Sequence, residues 1–297
     1  MPIEDFIIAV FCCIDEILQQ IAAKQPWRTR GFPPQLSDSE VITMEVVGEF
    51  LGIDTDKQIW QYFREHWPML FPCLGSRCHF ARHAAHLWSI KKSIHEELAK
   101  TLHAYSDTRH MIDGFPMPIC LFARAKHYKI FRDSAAFGYG ASKKQTYRGF
   151  HGHLVISFGG VITGLTVTAA NIDEREAIFE VIDNIHGLFI GDKGYMSQTL
   201  QEALHLQYGI NLQTPLRTNM TDHRHPAFVK QLIATRRLIE TVIGQRAERL
   251  PIEKVRARDL WHLTSRINRK VLAHTVGVFL NKAVGRDPLQ FDGLIAC

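Results

Sequence analysis

At 297 residues the chain is long enough for one large domain or two smaller ones, and 46% apolar with 22% charged residues excludes a disordered or fibrous polymer. No stretch reaches the ~20 uninterrupted apolar residues of a membrane span. The net charge of +5 is unevenly spread: residues 1–106 hold 10 Lys/Arg against 13 Asp/Glu, whereas residues 217–270 hold 13 against 5. A basic stripe of that kind suits a phosphate backbone, the alternative being a solvated helix face.

The N-terminal stretch MPIEDFIIAVFCCIDEIL carries Glu4, Asp5, Asp15 and Glu16 and has no basic lead, so it reads as an amphipathic helix (Ile3–Ala23) rather than a signal peptide. After the Pro26–Pro34 link, LSDSEVITMEVVGEFLG opens with Ser37/Asp38 as caps and stops at Gly52. Helices at Asp54–His66 and Trp88–Tyr105 follow, and short helices in succession leave room for a helix-turn-helix. Arg77–Lys92 is a basic run within this otherwise acidic region. Cys73, Cys78, His79 and His83 have the wrong spacing for a zinc finger, because adjacent Cys78 and His79 do not reach one tetrahedral ion from a helix. The six cysteines, at 12, 13, 73, 78, 120 and 297, follow no repeating spacing and read as reduced thiols of a cytosolic protein.

From residue 107 the texture turns to strands. His110–Asp113 is the first, ended by a Gly114-Phe115-Pro116 breaker, and Lys126–Phe131 is a second, short one. Gly152–Phe158 and Val161–Ala169 flank a Gly159-Gly160 hairpin turn. His151 and His153 share one face of that strand, and His223/His225 form a second His-x-His pair; metal binding is expected at neither. A helix at Glu176–His186 leads to the apolar run Leu188–Ile190, which ends at Gly191 and Asp192. Helix Gln198–Leu206, strand Ile210–Thr214, and helices Phe228–Gln245 and Leu260–Val278 complete an α/β order.

Asp113 and Asp192 each follow a short apolar strand, the position where open α/β sheets bind ligands, and the two strands are expected to be neighbours. On Phe228–Gln245, Glu240 lies beside the apolar face and one turn after Arg236, so it is either the acid of an ordinary Arg–Glu pair or a third carboxylate. Three clustered carboxylates repel unless a cation shares the site. Oxygen donors of this kind suit Mg²⁺ or Mn²⁺, and a pair of such ions can span an attacking and a leaving oxygen. The combination points to metal-dependent phosphoryl transfer on nucleic acid.

The blocks IDGFPMPIC around Asp113, IGDKGY around Asp192 and RRLIETVIGQR around Glu240 resemble the three acidic blocks of DDE-type insertion-sequence transposases. LSDSEVITMEVVGEFLG, AANIDEREA and TPLRTNM bring the resemblance nearest to the nine-eighty-two family of insertion sequences. In the third block Ile233 stands where a Tyr is usual, and Arg246 falls one position early for the usual Lys. The resemblance implies a ribonuclease-H-like mixed sheet flanked by helices, with Asp113, Asp192 and Glu240 as catalytic residues and ligands of two Mg²⁺ ions. Lys193, Arg217, Arg236, Arg237 and Arg246 are the expected DNA contacts.

The expected organisation is an all-helical region over 1–106 for DNA-end recognition, a catalytic domain over 107–284 and a tail over 285–297. Function is then phosphodiester hydrolysis at element ends and strand transfer into target DNA, by a bacterial cytoplasmic protein acting as a dimer or larger assembly on double-stranded DNA and on no membrane. A structure-selective nuclease, and a DNA-binding protein that has lost catalysis, are the rival expectations.

Overall fold

A computed structural model describes residues 1–28, 32–127, 129–140, 144–217, 219–248, 252 and 255–296, with the side chains of 240, 241 and 243–248 outside that description. The chain forms two compact units: Met1–Thr101 with Glu248–Cys297, and Leu102–Ala247.

The first unit is helical: α1 (Ile3–Lys24), α2 (Asp38–Phe50), α3 (Asp56–His66), α4 (Arg77–His86), α5 (Trp88–Thr101) and, far along the chain, the helix Leu260–Ala283. Local chemistry sets the starts. Ser37 and Glu40 form a reciprocal capping box on α2, while Thr55 and Ser76 cap α3 and α4 through their hydroxyls. α1 is long and apolar enough to cross a membrane by length and composition. Its Phe6, Ile7, Val10, Ile14 and Leu18 are instead packed in this unit's core with Ile42, Phe63 and Ile94.

Through the core runs a chain of buried ions. Lys91, fully buried on α5, places its ammonium 2.8 and 3.0 Å from the two oxygens of Glu45 on α2, and also donates to Ser265 Oγ and the Ala84 carbonyl. Arg269, equally buried, bonds Glu49 and Asp56, and Lys270 Nζ lies 2.7 Å from Glu49. Arg266 joins Asp56 at 2.8 Å. These pairs bind Leu260–Ala283 to α2, α3 and α5, because a charge buried without its partner is strongly unfavourable.

The division into domains therefore differs from the expected one. Residues 260–284 leave the strand-rich domain for the helical unit, and the supposed tail contributes Phe291 and Leu294 to buried positions. The charge runs change meaning too. Lys91 in the basic run 77–92, and Arg266, Arg269 and Lys270 in the stripe 217–270, serve the interior rather than a surface.

The second unit is a six-stranded mixed sheet: β1 (Arg109–Leu121), β2 (Ala136–Gly140), β3 (Gln145–Ser157), β4 (Ile162–Ala169), β5 (Gly187–Ile190) and β6 (Ile210–Gln213). β3 pairs antiparallel with β1 on one edge, and with β2 and then β4 on the other. β1, β5 and β6 are parallel neighbours. Short helical pieces follow β1 (α6, Phe122–Ala125) and β4 (α7, Glu174–Ala177), and longer helices α8 (Gln198–Tyr208) and α9 (Pro226–Glu248) lie before and after β6 and its following loop; Leu260–Ala283 is then α10. This is the ribonuclease-H-like α/β arrangement expected. The core gathers Ile112, Val155, Ile178, Ile182, Phe189, Tyr195, Leu204 and Leu212.

Three local expectations are corrected. β1 does not stop at Gly114-Phe115-Pro116. Pro116 and Pro118 pair with His151 and Gly149 on the β3 side, beyond the residues where β1 meets β5, and a strand with one open edge tolerates a missing N–H. The described residues of 126–131 make turns, with Phe131 at φ +54°. Glu176–His186 is not one helix: α7 and a 3₁₀ turn over Ile178–Glu180 end before Asn184, at φ +60°.

Candidate active site

The register of two parallel strands creates the site. Met111 of β1 stands opposite Ile190 of β5. Asp113 and Asp192 each lie two residues further on, at matching positions beyond the end of the ladder. Side chains alternate with period two, so matching positions on parallel neighbours share a face. The two acids predicted from separate motifs are thus brought together just past the β1–β5 ladder, Asp192 after the end of β5 and Asp113 within β1, which runs on along β3.

Each Asp is held by its own turn. The Gly114 N–H donates to Asp113 Oδ1 at 2.8 Å, and the Lys193 N–H donates to Asp192 Oδ1 at 2.5 Å, with Asp192 capping the 3₁₀ turn Lys193–Tyr195. Arg236 on α9 reaches Asp192 Oδ1 at 3.2 Å, both side chains being partly exposed. The guanidinium of Arg236, one of the expected DNA contacts, lies on a catalytic candidate, where positive charge offsets the crowding of acids.

A further acid, absent from the predicted set, lies between them. Glu174 is the first residue of α7, and its Oε1 is 3.5 Å from His151 Nε2 on β3. Burial, together with the charges of Asp113 and Asp192, pushes its carboxyl up to about 7. Tyr195 is wholly buried, its hydroxyl has no partner, and burial with the charges of Glu174, Asp113 and Asp192 raises it well above an ordinary phenol. His151 and His153 do share a face, with rings stacked 4.9 Å apart. His153 turns inward to Thr168 Oγ1 at 3.1 Å, and burial holds it down at about 4.

Among the other expected residues, Lys193 and Arg217 are exposed near strand ends, and Arg237 is exposed on α9. The side chains of Glu240 and Arg246 lie outside the described residues; the backbone of position 240 is helical, one turn beyond Arg236. Ile233, read as part of the apolar face of α9, is 49% exposed, and the buried face is Leu232, Thr235, Ile239 and Val242. In the helical unit, His83 turns to Asp38 Oδ1 at 2.6 Å while Cys73 and Cys78 are exposed thiols.

The model of the transposase DDE domain matches residues 103–260, more than half of the chain. The chain belongs to the DDE transposase family. No curated protein matches it. The matched segment begins just before β1 and ends where α10 begins, so it contains both Asp113 and Asp192.

DDE domains generally use divalent metal ions. The donors here fit such ions in chemistry: Asp113, Asp192 and Glu174 offer only hard oxygen, and burial, with the charges of the two Asp carboxylates added to it, raises the Glu174 carboxyl. Among the described residues, no three His, Cys, Asp or Glu side chains are drawn around one point. Arg236 supplies the positive charge beside Asp192 in this arrangement.

Proposed function

We propose that the protein is the transposase of a bacterial insertion sequence of the nine-eighty-two type, cutting at the ends of its element and joining them to target DNA. The observation that carries this reading is the β1–β5 register, which sets Asp113 and Asp192 side by side within the matched DDE segment. Asp113, Asp192 and Glu240 would hold two Mg²⁺ ions, which would polarise the phosphodiester and lower the pKa of a bound water. Position 240 follows by one helical turn the Arg236 that reaches Asp192, which supports Glu240 as the third acid.

In the hydrolytic step, water adds to phosphorus as the bond to the 3′ oxygen breaks, leaving a 5′ phosphate and a free 3′ hydroxyl. In strand transfer that hydroxyl attacks a target phosphodiester in the same way. The chain's part is placement and charge. The Gly114 and Lys193 N–H groups fix the two Asp carboxylates, and Arg236 balances Asp192. Lys193, Arg217, Arg237 and Arg246 are the phosphate contacts in this reading, and the helical unit recognises the DNA ends. Two ends must be held together, so the working form is a dimer or larger on double-stranded DNA, in the bacterial cytoplasm.

The test uses labelled DNA carrying the ends that flank the coding sequence, together with a supercoiled target plasmid. Mg²⁺-dependent joining of label to plasmid is expected, and Asp113→Asn or Asp192→Asn should abolish it. Cleavage without joined product would make the protein a nuclease, and neither reaction would leave a DNA-binding relative.

A further inference from the structure

We infer that Glu174 is an additional metal-binding carboxylate of this site, supplied by the segment between β4 and β5. The inference rests on the reading of Asp113 and Asp192 as metal ligands.

Its position is defined by two glycines. Gly114 follows Asp113, and Gly194 lies two residues after Asp192. A Cβ at Gly194 would overlap Glu174 Oε2, and a Cβ at Gly114 would lie 3.0 Å from Oε1 and 2.6 Å from His151 Nε2. One carboxylate therefore spans the backbones that follow both catalytic candidates, with a different oxygen against each. Neither glycine has a positive φ, so side-chain room, not backbone conformation, accounts for the missing Cβ at both places. His151 Nε2, which makes no hydrogen bond, closes a third side at 3.5 Å.

The ordinary roles of a glutamate at a helix start do not explain this placement. α7 is four residues long, and Asp173 already caps it by accepting from the Arg175 N–H at 2.9 Å. Asp173 and Arg175 also pair through their side chains, both largely exposed, so the neighbours of Glu174 satisfy each other at the surface while Glu174 turns to the sheet. Tyr195 provides a second, independent sign of a ligand. Its hydroxyl is buried and unpartnered, its ring packs against Gly191 just before Asp192, and Glu174, Asp113 and Asp192 all act on it electrostatically. A buried hydroxyl left without a partner is costly, and a water on an ion held among these acids would donate to its oxygen.

The probe is Mn²⁺ itself, titrated into the full-length protein and followed by electron paramagnetic resonance of the free ion. Glu174→Gln is expected to weaken Mn²⁺ binding by about tenfold or more, in the range known for residues that hold or support a metal, while the melting temperature in EDTA stays at the wild-type value. Gly194→Ala, which keeps every charge but displaces the Glu174 carboxylate, should reproduce the loss and so covers a folding failure of the first variant. Asp192→Asn is the control. If Asp192→Asn loses Mn²⁺ while Glu174→Gln and Gly194→Ala bind it like wild type, the inference is overturned and the proposed function stands. If Asp192→Asn also binds like wild type, the reading of the site itself falls, and the inference with it.

Discussion

Replacing Lys91 by Met should destabilise the helical unit by roughly 3–5 kcal/mol, the usual consequence of removing one partner of a buried ion pair. Glu45 is 1% exposed, and burial already raises its carboxyl although Lys91 and Arg269 oppose the rise. Without Lys91 its nearest cation is Arg269 Nη1 at 3.8 Å, which is itself engaged with Asp56 at 3.0 Å. The Ala84 carbonyl would not be orphaned, because Ser265 Oγ also donates to it at 3.1 Å. The loss is therefore assigned to the stranded carboxylate. Glu45→Met with Lys91→Met should recover most of the deficit, since a well-packed apolar pair is often neutral or better. The pH dependence has a definite sign. A folded-state carboxyl raised above its unfolded value binds more protons in the native state, so the Lys91→Met variant should lose stability as pH rises above the unfolded value. All five tryptophans, Trp27, Trp60, Trp67, Trp88 and Trp261, belong to this unit, so urea unfolding followed by tryptophan fluorescence reports on it alone. A cost below about 1 kcal/mol, or a double variant no more stable than the single one, would refute the reasoning.

Other expectations follow from the same structure. Asp38 is buried, which alone would raise it, yet bonds from His83, Arg28 and Trp27 hold it down at about 2. Its contribution, on the order of 2 kcal/mol, is fully present above the unfolded value and is lost as pH falls from about 4 toward 2. Asp38→Asn should remove that slope from urea midpoints, and an unchanged slope would contradict it. Gly149→Ala places a Cβ on the Met117 carbonyl, beside the β1 bulge between Pro118 and Cys120, and should cost about 1–3 kcal/mol. Far-ultraviolet circular dichroism during unfolding of the sheet unit would detect it, and a neutral result would mean that the strand relaxes freely. Arg236→Gln removes the cation beside Asp192 and should tighten Mn²⁺ binding several-fold; weaker binding would show that Arg236 orients the carboxylate rather than competing for it.

Asp113 and Asp192 were legible because each ends a run of strand-forming apolar residues, and period-two alternation with parallel pairing does the rest. Glu174 was not. Its block AANIDEREA carries a family likeness, and in local sequence Ala170–Glu174 reads as the end of a hairpin and the cap of a helix. What places it at the site is the space above Gly114 and Gly194, which local sequence presents as turn residues. The buried ions were equally hidden. Lys91 looks like one charge in a basic run, and its partner Ser265 is 174 residues away. The prolines of β1 misled for a related reason, since a breaker inside a pattern marks an end only if both strand edges are paired. The failed helix at Glu176–His186 shows the converse: Ile178, Val181, Ile182 and Ile185 have helical spacing and are buried, but Asn184 in the left-handed region ends any continuous helix.

The most direct test of the central claim is single-turnover cleavage of a supercoiled plasmid that carries the coding sequence with its flanking DNA. Wild-type protein, Asp113→Asn and Asp192→Asn would be compared with Mg²⁺ and with EDTA. The account predicts new 3′ hydroxyl ends at the element boundaries for wild type with Mg²⁺, and none with EDTA or with either variant, both of which should remain folded by far-ultraviolet circular dichroism. Cleavage at the same boundaries by a folded Asp113→Asn or Asp192→Asn protein would contradict it.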